Sequence, residues 1–94
     1  MLHIVNKSPY ADRALDACLA RLTEGAALLL IEDAVVAALA DGAYAAKLKG
    51  LDVYALGPDL EARGLAAKPL CAQVVDHAGF VDLCVTHPAS HSWF

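Results

Sequence analysis

The run Ala26-Ala27-Leu28-Leu29-Leu30-Ile31-Glu32-Asp33-Ala34-Val35-Val36-Ala37-Ala38-Leu39 decides the fold. Its first half is apolar without polar alternation and ends on two carboxylates, the pattern of a strand buried on both faces in a parallel sheet between helices. Asp33 then reads as the cap of a helix that carries Val36 and Leu39 inward. The unit is a strand, a tight turn and a helix, with the turn at the carboxyl end of the strand.

The flanking chain repeats this alternation. Leu2-His3-Ile4-Val5-Asn6 predicts a strand, and Ser8-Pro9 predicts a helix start, Ser8 as cap and Pro9 at a position whose missing N–H costs nothing. Leu15, Cys18, Leu19 and Leu22 form one apolar stripe at the i, i+3, i+4, i+7 spacing. Gly25 fits a left-handed helix stop. Asp41-Gly42 breaks the central helix, a short helical piece fits Ala43 to Lys49, and Gly50 closes it. Leu51 to Leu56 predicts a third strand ended by Gly57-Pro58-Asp59, then a short helix from Leu60 to Arg63 with Gly64 as its stop. Leu70 to Val75 predicts a fourth strand. Asp76 caps a last helix carrying Phe80, Val81, Leu83 and Cys84, which His87-Pro88 ends, and a tail finishes on Trp93-Phe94.

Strands alternating with helices imply right-handed crossovers and one α/β domain over residues 1–94, a small three-layer parallel sheet with helices on both faces. Ligands of such folds sit beyond the carboxyl ends of the strands. There the expected turns are Asn6-Lys7-Ser8, Glu32-Asp33, Gly57-Pro58-Asp59 and Asp76-His77, which are mostly acidic; Asp33, Asp59 and Asp76 read first as helix caps. A nucleotide or flavin phosphate needs glycine-rich backbone or cations, and only Lys7 and Ser8 offer that chemistry, so no cofactor is expected. His77 is the candidate for proton work at this edge, and His3 reads as a hydrogen-bonded interior residue.

Composition narrows the function classes. Hydrophobic residues make up 59% of the chain and charged ones 19%, above the apolar share of about 45 to 50% usual for soluble domains. No apolar run reaches the ~18 residues of a membrane helix, and the start lacks the pattern of a signal peptide, so the expectation is a cytoplasmic protein whose surplus apolar surface meets other subunits. A net charge of −4 with scattered Lys and Arg argues against direct nucleic-acid binding. The three cysteines, Cys18, Cys71 and Cys84, are an odd number without a Cys-x-x-Cys pair and read as reduced thiols. Cys84, His87 and His91 have loose metal-ligand spacing, but Pro88 spoils a helical face, and no metal is expected. Cys71 and Cys84 read as core residues, and Trp93 with Phe94 either as a satellite of the core or, at least equally well, as candidates for a subunit contact.

Several blocks together resemble the TusB/DsrH family. They are Met1 to Pro9, Thr23-Glu24-Gly25, Leu29 to Asp33, Ala37-Ala38-Leu39, Val53 to Leu60, Ala62 to Leu65, Phe80 to Leu83 and Ser92-Trp93. The resemblance runs the length of the chain. It implies a flavodoxin-like (DsrEFH-like) α/β fold and a cytoplasmic subunit of the TusBCD/DsrEFH sulfur-relay complex, a hexamer with two copies each of three related chains. Implied partners are TusC/DsrF-like and TusD/DsrE-like subunits and, through the complex, a TusE/DsrC-like sulfur acceptor. Implied processes are persulfide transfer for tRNA wobble-uridine 2-thiolation or for sulfur oxidation. The resemblance also makes Cys18 a candidate persulfide acceptor, typical of the DsrH-like branch, whereas its place in the Leu15, Leu19, Leu22 stripe makes it a packed apolar residue. Both readings stand on the sequence, as does a free-standing small-ligand module. An isolated chain of this kind is expected to self-associate.

Overall fold

The apolar run does form the middle of a parallel sheet. The computed structural model describes residues 1–94, and the run supplies β2 (Ala27–Leu30), every residue of it buried. The other strands are β1 (Leu2–Val5), β3 (Asp52–Leu56), β4 (Gln73–Val75) and β5 (Ser90–Trp93). All neighbours pair in parallel, in the order β4-β3-β2-β1-β5. The helices are α1 (Ala14–Leu19), α2 (Ala45–Leu48), α3 (Gly57–Ala62) and α4 (His77–Thr86), with a 3-10 helix at Glu32–Ala38.

The strand order explains where the helices lie. From β1 to β4 the chain steps in one direction across the sheet, so right-handed crossovers place α1, the 3-10 helix, α2 and α3 on one face. The step from β4 to β5 returns across the whole sheet, and the same handedness puts α4 on the other face. The core divides accordingly. Val5, Leu28, Leu30, Val53 and Ala55 meet Leu15, Cys18, Val35, Leu48 and Leu60 on the first face, while Leu2, Ile4, Ala27 and Leu29 meet Leu83 of α4 on the second. Strand side chains alternate between these two faces, so an apolar run without polar breaks is what the sheet requires.

Five strands form where the sequence pattern marks four. The tail Ser90–Trp93 adds a strand beside β1, in the register His3↔His91 and Val5↔Trp93. β4 is shorter than the expected Leu70 to Val75. Leu70 pairs antiparallel with Leu39, and the Cys71 N–H donates to Ala38 O at 2.7 Å, so these backbone groups serve the end of the 3-10 helix instead of the sheet.

Two helices also start differently. Ser8 holds a turn, its Oγ accepting from the Tyr10 N–H, and α1 begins later, where Asp12 Oδ1 accepts from the Ala14 N–H at 2.8 Å. The segment after β2 is wound with three residues per turn. It buries Ala34, Val35, Ala37 and Ala38, and leaves Val36 and Leu39 half-buried. Gly50 (φ +82°) and Gly64 (φ +68°) do stop α2 and α3, whereas α1 already ends at Ala20 and Gly25 (φ +82°) makes the separate turn into β2.

Candidate functional site

Cys18 lies on the inner side of α1, 0% exposed, in the cluster with Leu15, Val5 and Leu28. Burial alone pushes its thiol up to about 11, with no hydrogen bond or cation to offset it. At neutral pH a thiol of that acidity is ionised in about one molecule in ten thousand. The carboxylate of the same helix, Asp16, is occupied elsewhere. Its Oδ1 accepts from the Tyr44 hydroxyl at 3.0 Å and sits 3.6 Å from Lys47 Nζ, which lies 4.7 Å above the Tyr44 ring. This arrangement ties α1 to α2 and gives Cys18 no base.

The other thiols sit differently from expectation. Cys71 lies in the connection before β4 rather than in a strand, half-buried, with its Sγ 4.0 Å from the Ala37 carbonyl oxygen. Burial raises its thiol as well. Cys84 is exposed on α4, contrary to a core position, as is Val81 at 59% exposure. The helix turns Phe80 and Leu83 to the sheet, and the apolar residues between and beyond them face outward. His77 is exposed at the first position of α4. No group of three or more His, Cys, Asp or Glu side chains is placed to hold a metal ion, and no helix is long and apolar enough to cross a membrane.

The carboxyl edge of the sheet carries a polar network linking three elements. Glu32, leaving β2, has φ +50°, and its N–H donates to Asp59 Oδ2 at 2.6 Å. Asp33 does not cap a helix. It lies within the 3-10 helix, and its Oδ1 accepts from Arg63 Nε at 3.0 Å and Nη2 at 2.8 Å, while Arg63 Nη1 donates to the Asp59 carbonyl at 3.1 Å. Asp59 likewise sits inside α3. Of the three expected caps only Asp76 acts as one, accepting from the Gly79 N–H at 2.8 Å. With Asp33 70% exposed, the ion pair contributes less than about 1 kcal/mol, so its role is positional. Arg63 ends a helix in the sequence reading, and its partner 30 residues away has no local signal.

Two open grooves flank this network. One, of about 380 Å³, is lined by Ser8, Asp33, Val36, Arg63 and Leu65. The other, of about 540 Å³, lies between the starts of α3 and α4 and includes Gly57, Glu61, Val74 and Asp76. The first sets the Asp33–Arg63 ion pair and Ser8 beside Val36 and Leu65, whereas the second carries only carboxylates, Glu61 and Asp76, among its charged groups, a poor setting for a phosphate. Asp59→Ala leaves the Glu32 N–H without its acceptor in a left-handed conformation that a glutamate rarely adopts. The expected cost is about 1 to 2 kcal/mol, read from urea unfolding. A midpoint within error of the parent chain refutes the importance of this bond.

The chain and its fold have likenesses among known proteins. Residues 7–90 match the family described as DsrH like protein. The chain is 41% identical to the protein TusB of Pectobacterium parmentieri over 97 residues, spanning 99% of this chain and 100% of that one. The chain belongs to the TusB/DsrH family. A second TusB/DsrH relative, the protein TusB of Escherichia coli K12, is 40% identical over the same coverage. Among solved structures the ychN protein of E. coli superimposes with a TM-score of 0.79 at 18% identity, covering 97% of each chain, and so shares the fold.

Proposed function

We propose that this chain is a subunit of a cytoplasmic sulfur-relay assembly acting in persulfide transfer, two copies each of three related chains. Persulfide sulfur there passes towards tRNA wobble-uridine 2-thiolation or serves sulfur oxidation. The observation that supports the reading best is the full-length likeness to proteins named TusB. Co-production with its TusC/DsrF-like and TusD/DsrE-like sister chains tests it. The expected product is one species with the mass of six chains that takes up radiolabelled sulfur from a persulfide donor and passes it to a TusE/DsrC-like acceptor. Three chains that elute separately sink the proposal.

Within the complex we assign this chain an architectural part. The supporting observation is the complete burial of Cys18, with its thiol raised to about 11. A group-transfer cysteine has to reach a partner's sulfur as a thiolate, and this one is neutral and covered. Cys18→Ala is expected to leave the rate of sulfur mobilisation by the reconstituted complex within about twofold, while lowering stability by about 1 kcal/mol. A fall of tenfold or more in a complex that still assembles makes Cys18 a sulfur carrier and overturns the assignment.

A further inference from the structure

β5 has few side-chain anchors of its own. Ser90, His91 and Ser92 are exposed, and Trp93 is the residue that packs, half-buried, against the larger core cluster. Its indole N–H donates to His3 Nδ1 at 3.1 Å. An indole nitrogen only donates, so the bond requires a neutral His3 with its proton on Nε2. A protonated His3 would set two donors face to face. His3 is 5% exposed, so it cannot turn to water while the strand stays paired.

The surroundings of His3 add to this constraint. The His91 ring, in register with it, lies 6.0 Å away and stacks on the Trp93 indole at 4.4 Å and 14°. From the start of β1 the N-terminal ammonium also faces it. β2 presents Leu28 in register with His3, and on α1 the carboxylate of Asp16 is held by Tyr44 and Lys47. No carboxylate compensates a charge on His3.

We propose that the docking of β5 on β1 is a proton-sensitive latch, closed by the Trp93–His3 hydrogen bond while His3 is neutral and opened when His3 takes a proton. Burial first, then His91 and the N-terminus, hold His3 below its ordinary value of 6.5. The undocked strand leaves His3 with the ordinary value, so the open state binds more protons. Docking is therefore fully supported above about pH 6.5 and weakens as pH falls towards the docked value, by at most about tenfold per pH unit for one proton. Opening turns β1 into an edge with unpaired backbone groups.

Amide hydrogen exchange on the full chain at pH 7.5, 6.5 and 5.5, corrected for intrinsic rates, tests the latch together with the ¹⁵N shifts of the His3 ring. The expected results are an Nε2–H tautomer at pH 7.5, protection of the β5 amides falling about tenfold by pH 5.5, and unchanged protection between β2 and β3. His3→Leu is expected to abolish the pH dependence. Trp93→Phe, which keeps a ring but no donor, is expected to lower β5 protection at every pH and to shrink its dependence. An Nδ1–H tautomer, an equal fall in β2, or an undiminished fall in either variant overturns the proposal.

Discussion

Shortening Leu28 to alanine is expected to lower the free energy of unfolding by about 3 kcal/mol. Leu28 is 1% exposed, on the middle strand, and pairs in register with His3 on one side and Val53 on the other. Neighbours fixed on both sides by strand pairing cannot close over the space left behind, so the loss combines transfer free energy with a residual cavity. A domain of this size has about 5 to 14 kcal/mol in total, at roughly 0.05 to 0.15 kcal/mol per residue. The variant is therefore expected to melt about 15 °C earlier. A shift below about 4 °C would mean that the face relaxes freely, contrary to a sheet locked by parallel neighbours.

Gly79→Val is the second large effect, and it acts by overfilling. A Cβ built at Gly79 falls 2.8 Å from the Cβ of Val75 and 3.2 Å from its Cγ1. The obstructing atom is attached directly to the β4 backbone, so it cannot swing away as the tip of a long side chain would. The first turn of α4 has to lift from β4, which also strains the bond from the Gly79 N–H to Asp76. The expected cost is about 2 to 3 kcal/mol, at the upper end of the usual range for overpacking. Urea unfolding monitored by circular dichroism reads it directly, and an unchanged midpoint contradicts the close approach of α4 to β4.

The central strand and the packing of α4 differ in how far the sequence reveals them. The parallel sheet was visible in Ala26 to Ile31, because only a strand covered on both faces tolerates so long an apolar run, and glycines 25 and 64 marked their turns through the need for positive φ. Cys84 is exposed rather than in the core because α4 is apolar nearly all round: Phe80, Val81, Leu83, Cys84 and Val85 offer several inward lines, and packing selects Phe80 with Leu83. β5 carries no apolar alternation in Ser90-His91-Ser92, so its pairing depends on β1 and on a contact between Trp93 and His3 that no local pattern encodes. The same holds at the carboxyl edge. Asp33 and Asp59 have the composition of caps, yet their partners are Arg63 and Glu32 of other segments, and charge complementarity over distance overrides the local preference.

The placing of β5 beside β1 has a consequence for biosynthesis. The indole and imidazole that meet there are separated by 90 positions of chain. β1 through β4 are neighbours in chain order, each waiting only for the next short crossover. The outer flank of β1 stays bare until nearly everything else has been translated. Chains cut before Ser90 should therefore stick to one another, and the arrival of β5, rather than collapse of the core, closes that flank.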